Sequence, residues 1–379
     1  MKKLTYFSIT LIILALFHLS TGRAFALYPG EEMRTGDGYP ALVKFVKGDP
    51  KKPLVIFFPG GYHLARIAYG YPGGNEKDFM AYWIHKKGYP FLAISYPLGN
   101  PVFSKVYPEF SIRNWGKQGA EIAKQFIAEN GLNNHVIFMG WSMGGKIAES
   151  FNEAATNLGI KVDFYISLSA TAPIPGQVPG LTKIIEKGPD GLSKPGLLLK
   201  WFLGSIAEQN KLSGHTIIPE NIYLNDFFGD LPVNLLGAPV RYRSGVWVND
   251  LQESVNDTGL FKFADFPLVG LVIADSTLED RHALTDNGVW GFFITMKIYR
   301  SYLKNNKVKL SGLAPEKWQK LIQLTRGAPN YLTTTIHGNH YFFIGEQGAS
   351  KLSENIEILD QRVKKLKDEI GSIIGVKLD

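Results

Sequence analysis

The run HVIFMGWSMGGK, residues 135–146, sets one serine among glycines: Gly140-Trp141-Ser142-Met143-Gly144 has the spacing G-x-S-x-G. Glycines on both sides let a strand turn sharply into a helix and leave the hydroxyl at the apex. A serine hydroxyl is a poor nucleophile near neutral pH. It becomes a good one when an imidazole takes its proton and a carboxylate fixes the tautomer of that imidazole. Attack would fall on an acyl carbon, and the oxyanion formed would need backbone N–H donors already aimed at it. Imidazoles are available at His337 and His340 in YLTTTIHGNHYFF, carboxylates at Asp275, Glu279 and Asp280 in VIADSTLED, and a glycine turn at Pro59-Gly60-Gly61.

These groups are far apart in sequence, so regular elements must bring them together. PLVIFFPGG (53–61), YPFLAISYP (89–97), HVIFMG (135–140), VDFYISLSA (162–170), FPLVGLVIAD (266–275) and YLTTTIHGNH (331–340) are continuous apolar or β-branched runs with turn signals at their ends. Runs that do not alternate read as strands buried on both faces. Between them, Trp115, Gly119, Ile122, Phe126 and Ile127 share one helical face before Gly131, and Ile147, Phe151, Ala154, Ala155 and Leu158 share another before Gly159. Strand and helix in alternation imply an α/β fold with a mostly parallel central sheet flanked by helices. Ser142 then stands where the third of these strands enters its helix.

The strand HVIFMG, the turn GWSMGG and the helix from Lys146 resemble the nucleophile elbow of the α/β-hydrolase fold, and FFPGG resembles the oxyanion loop after its third strand. The resemblance runs from about Tyr39 to the C-terminal helix. It implies Ser142 as nucleophile and an oxyanion hole made by the N–H of Met143 and that of Gly61, with Tyr62 the other position. The order nucleophile, acid, base places the base on the loop after the last strand, where Gly338-Asn339 before His340 resembles the base loop and sets His340 ahead of His337. The acid is expected at Asp280, counted from a helix starting near Thr285, with Asp275 or Glu279 as the alternatives. The stretch between Pro173 and Asp265, rich in Gly, Pro and aromatics such as Trp201, falls where relatives of this family insert a cap or lid. A cap excludes water and selects substrates.

Composition fits this reading. A chain of 379 residues, 45% hydrophobic and 20% charged, can bury a large core. Residues 1–26 begin with Lys2 and Lys3, continue through an apolar stretch from Leu4 to Phe17, and end in Ala24-Phe25-Ala26, the pattern of a cleaved signal peptide. That apolar stretch is shorter than the roughly 20 residues needed to span a bilayer. The expectation is an exported protein, secreted or periplasmic, with no stable membrane span. With no Cys there are no disulfides, so the core alone must hold the fold. The net charge is +7, but three of its cations, Lys2, Lys3 and Arg23, belong to the leader, and no clustered basic stripe suggests nucleic acid.

No cofactor or metal is expected, because no His and carboxylate cluster shows ligand spacing. In the tail, Leu352, Ile356, Leu359, Val363, Leu366, Ile370 and Ile373 repeat at spacings of four and three. That seam could pair two chains, but Arg362 would then face Lys367, so a last helix packed on the sheet is favoured, in a monomer or weak homodimer. The sequence therefore points to a serine hydrolase for a carboxylic ester or thioester, small or lipid-like. Acyl transfer, peptide cleavage with the same triad, and a non-catalytic binding role on the same fold are the alternatives.

Overall fold

The computed structural model describes residues 27–178 and 180–378; the leader expected at residues 1–26 lies outside them. Eight strands form the central sheet: β1 (Glu31–Gly36), β2 (Tyr39–Val46), β3 (Leu54–Phe58), β4 (Phe91–Ser95), β5 (His135–Trp141), β6 (Lys161–Leu168), β7 (Val269–Ala274) and β8 (Thr333–Ile336). Their order across the sheet is β1-β2-β4-β3-β5-β6-β7-β8. The pairs β1–β2 and β2–β4 are antiparallel, and every pair from β4 to β8 is parallel. All residues of β3, β4 and β7 are buried, as continuous apolar strands with both faces covered require.

The six strands read from the sequence are all present within a few residues. The hairpin β1–β2 is additional. Asp37 and Gly38 both take positive φ, 46° and 76°, the two-residue turn whose twist matches that of the paired strands.

Helices that cover the sheet and its edges include α1 (Met80–Lys86), α2 (Ile112–Glu129), α3 (Ala148–Asn157), α4 (Leu198–Ser213), α5 (Asp280–Lys297), α6 (Pro315–Tyr331) and α7 (Glu346–Ile374). The helix α2 starts at a capping box, in which Ser111 and Asn114 each bond the other's backbone N–H. In α7 the whole apolar row from Leu352 to Ile373 is buried, at 6% exposure or less, so the heptad-like stripe is used inside the chain, against α1 and α6. No helix among the described residues is long and apolar enough to cross a membrane.

Two positions follow from this topology. The chain runs from β3 outward to β4 and then returns to β5 on the other side of β3, so the crevice at the C-terminal ends of β3 and β5 is the switch point where α/β sheets bind ligands. The segment between β6 and β7 carries α4, a three-stranded ribbon (Glu186–Lys187, Leu192–Lys194, Leu231–Pro232) and a hairpin (Val240–Arg243, Val246–Asn249). It is tied to the loop after β3: Leu64 N–H donates to Phe227 O at 2.8 Å and Gly229 N–H to Tyr62 O at 3.0 Å.

Candidate active site

Ser142 follows the last residue of β5 with φ +53°, in the left-handed region. Such a backbone is strained for any residue but glycine and persists where the surroundings hold it. Close approach explains the flanking glycine: a side chain at Gly140 would put its first carbon 2.3 Å from the Gly144 carbonyl oxygen. At Gly60, the end of the β3 loop, a side chain would come within 2.9 Å of Ser142 Cβ. Glycine therefore lets the two loops meet over the switch point.

A cavity of about 500 Å³ opens there, and Gly61, Tyr62, Ser142, Met143 and His340 all line it. Met143 stands in the first turn of a 3₁₀ segment (Ser142–Ile147), where an N–H has no preceding intrahelical carbonyl. Tyr62 has φ +67°, which turns the loop, and its phenol is anchored to Ser193 Oγ at 2.8 Å. Met143, Gly61 and Tyr62 thus line the same cavity as the serine.

His63, buried under this loop, fixes its carbonyls. Its Nδ1 is 2.6 Å from Gly61 O and must donate, since a carbonyl only accepts. Its Nε2 then accepts from Tyr223 Oη at 2.6 Å, and Tyr341 Oη lies 3.1 Å away. Burial drives the His63 imidazole down to about 3, so it is neutral and holds this tautomer.

His340 follows β8 and is 2% exposed. Its ring lies between Trp141, at 5.0 Å between centroids, and Trp201 of α4, at 4.8 Å. Trp141 Nε1 also donates to the His340 carbonyl at 2.9 Å. Asn339, whose Nδ2 donates to Ser205 O at 2.7 Å, pins the base loop to α4. His340 Nε2 has no protein hydrogen-bond partner among the described residues. It does not bond Ser142 Oγ, a contact that in such pairs often closes only with substrate bound.

The carboxylate on His340 corrects the sequence expectation. Glu279 Oε1 meets His340 Nδ1 at 2.9 Å, with Glu279 4% exposed. Asp280 is exposed and accepts from the N–H of Arg281. Asp275 lies at the exposed end of β7, where it bonds His337 Nδ1 at 3.0 Å and the N–H of Gly338 at 3.1 Å. It holds the start of the base loop and does not reach His340.

The physical reason is the helix start. The helix begins at Asp280, not near Thr285, and a 3₁₀ turn over Thr277–Glu279, capped by Ser276, precedes it. That turn points Glu279 inward and its neighbour Asp280 outward. Burial alone would raise the Glu279 carboxyl, but the charges of His340, His282 and Arg281 hold it below its ordinary value.

Three residues that sequence reasoning missed extend this pair. His282 Nε2 is 3.4 Å from Glu279 Oε1, and His282 Nδ1 is 2.9 Å from both oxygens of Asp286. Arg281 donates to His282 Nε2. The signal was present in the spacing: Glu279, His282 and Asp286 are three and four residues apart, one face of a helix. Glu279, His282 and His340 each offer one donor atom within 4.8 Å of the others, the one cluster of metal-ligand type among the described residues. Glu279 Oε1 and His340 Nδ1 already bond each other, while Glu279 Oε2 and His340 Nε2 have no protein hydrogen-bond partner among the described residues.

No protein-family model and no curated protein matches the sequence. Solved structures similar to it include an esterase from Rhodococcus sp. ECU1013 (12% identity, 87% of this chain and 98% of that chain, TM-score 0.48). Others are a thermophilic esterase from Thermogutta terrifontis (10% identity, 88% and 99%, TM-score 0.46) and an epoxide hydrolase from Vigna radiata (14% identity, 89% and 100%, TM-score 0.45). The strand order with its antiparallel β2, and a serine turned out between β5 and its helix at the switch point, give this chain the α/β-hydrolase fold.

Proposed function

We propose that the chain is a serine hydrolase that cleaves a carboxylic ester or thioester through an acyl-enzyme on Ser142. The observation that carries the reading is a serine at positive φ in one cavity with His340, whose Nδ1 is held by a buried carboxylate while Nε2 is left without a protein partner. Ser142 Oγ attacks the acyl carbon as its proton passes to His340 Nε2. The negative charge on the former carbonyl oxygen is met by the N–H of Met143 and of Gly61 or Tyr62. Collapse breaks the bond to the alcohol or thiol, which takes the proton from Nε2. Water, activated by the same imidazole, then releases the acid and restores the serine.

Glu279 keeps the proton on Nδ1 and stabilises the imidazolium. The segment between β6 and β7 serves as the cap: Val178, Leu181, Leu198, Trp201 and Phe202 give it an apolar inner surface. The N-terminal pattern supports export of the mature chain. The test is intact mass before and after a fluorophosphonate, with the labelled peptide mapped. One adduct on Ser142 is expected, and Ser142→Ala should lose both the label and p-nitrophenyl ester turnover with an unchanged melting temperature. Turnover retained by Ser142→Ala refutes the assignment.

A further inference from the structure

Lys146 and Arg281 line the cavity that holds Ser142 and His340, and acyl transfer as described gives Lys146 no task and Arg281 only its part in the Glu279–His282 network. Lys146 is 4% exposed. Its Nζ donates to the carbonyls of Ala172 at 2.8 Å and Ile174 at 3.5 Å, uncharged acceptors that leave one of its three donors over. Arg281 Nη2 donates to Thr171 Oγ1 at 3.2 Å and to His282 Nε2. Among the described residues its Nε and Nη1 meet no acceptor, and neither side chain forms an ion pair. The nearby carboxylates bond other groups, Glu279 Oε1 His340, Asp286 His282 and Asp280 a backbone N–H, and reach Arg281 only through their charges.

The two cations bond consecutive residues, Ala172 and Thr171, and line one cavity. Burial first, and the charge of Arg281 second, push the Lys146 ammonium down to about 7. Taking an ammonium out of water without a counter-ion costs several kcal/mol. A site that tolerates this cost is a functional candidate, because a ligand can supply the missing charge. The walls around the pair are apolar, with Ile174, Leu236, Ala238, Pro239 and Leu278. The pair is also tied to the nucleophile, since the N–H of Thr171 donates to the Ser142 carbonyl at 2.8 Å.

We propose that Lys146 and Arg281 form an anion subsite, so that the substrate is an ester or thioester carrying a second, anionic group, a carboxylate or a phosphate, a short spacer from the scissile carbonyl. The substrate class rests on the acyl-transfer reading, whereas binding of an anion does not. An anion bonded by both cations would make charge-assisted hydrogen bonds, about twice as strong as neutral ones.

Titration calorimetry with glutarate, inorganic phosphate and the neutral control glutaramide tests the subsite directly. Glutarate or phosphate should bind in the millimolar range or tighter, ~4 kcal/mol or more, and glutaramide should not. Lys146→Met and Arg281→Gln should each weaken the anion at least about tenfold. Lys146→Met keeps the length of the buried side chain, so it should fold, and melting curves check this for both. The tighter of the two anions identifies the group.

No binding of either anion at about 20 mM, or binding that survives both substitutions, overturns the subsite. The kinetic arm compares kcat/KM for the p-nitrophenyl hemiester of succinate with that for p-nitrophenyl butyrate. The ratio should exceed one and fall about tenfold in each variant. Anion binding without turnover of either ester would sink the hydrolase reading and keep the subsite. Butyrate turnover without anion binding would do the reverse.

Discussion

Glu279→Gln, set beside Asp280→Asn, decides which carboxylate serves the imidazole. Glu279 makes a single 2.9 Å contact to His340 Nδ1 at a position 4% exposed, where a charge-assisted hydrogen bond is not screened by water. A glutamine keeps the shape and removes the charge. Turned with its N–H₂ to Nδ1, it donates, moves the imidazole proton to Nε2 and sets that N–H against the Ser142 hydroxyl. Turned with its oxygen to Nδ1, it keeps the tautomer but no longer stabilises the imidazolium. Loss of the orienting carboxylate in a triad lowers kcat about 10⁴-fold, or ~5.4 kcal/mol.

The expected kcat for Glu279→Gln on p-nitrophenyl butyrate is therefore down ~10³- to 10⁴-fold. Asp280→Asn, exposed and bonded to its neighbour's N–H, should stay within about twofold. Stability gives an independent readout. The folded Glu279 carboxyl is held below its unfolded value, so its contribution is present above the ordinary carboxyl range and is lost as pH falls through the lowered value. Melting temperature on acidification should therefore drop less in Glu279→Gln than in the parent. A large loss of kcat in Asp280→Asn, with Glu279→Gln near the parent, would refute the assignment.

Three further substitutions test the surroundings. Lys146 is pushed from 10.5 to about 7 in the fold, so the unfolded chain binds more protons between these values and stability rises with pH across that window. Lys146→Met should lack that rise and should melt higher at pH 7, by up to ~4–5 kcal/mol, read from urea unfolding against pH. His63 is neutral in the fold down to about 3 but protonates near 6.5 when unfolded, so stability falls as pH drops below 6.5. His63→Gln should flatten that slope and, by freeing the Gly61 carbonyl, lower kcat ~10- to 100-fold with little change in KM. His282→Phe removes the 3.4 Å neighbour of Glu279 and should lower kcat ~10- to 100-fold through misplacement of that carboxylate, with fluorophosphonate labelling slowed in proportion.

Much of this architecture was legible because it depends on local rules. Continuous apolar runs bounded by Gly and Pro gave six of the eight central strands, and the glycines around Ser142 gave the elbow, since only a residue without Cβ fits 2.3 Å from a carbonyl oxygen. The order of elements and the turn before it pointed to His340, which lines one cavity with Ser142. The hairpin β1–β2 was missed although Asp37-Gly38 is a strong two-residue turn signal, because Glu31–Gly36 is mostly polar and shows no apolar run. Edge strands carry little of the burial that makes a strand visible in composition.

The carboxylate that meets His340 and the cavity cations were not legible, for a different reason. Between Glu279 and Asp280 the side chains differ by a methylene and the positions by one residue, and what separates them is the rotation of one 3₁₀ turn. Ser276 sets that turn by capping it, as its Oγ accepts from Leu278 N–H at 3.1 Å. A serine three residues before a glutamate in an acidic run is a capping signature, and moving the helix start from Thr285 to Asp280 on that ground turns Glu279 toward the base loop. Lys146 offers no such clue: in sequence it is an ordinary polar residue of a helix start. It is a buried charge in the fold, in a cavity that Gly237, Ala238 and Pro239 of the segment between β6 and β7 also line. Groups whose character is set by a distant segment are the ones a local reading misses, and here the segment that lines the cavity with Lys146 also determines what the cavity can accept.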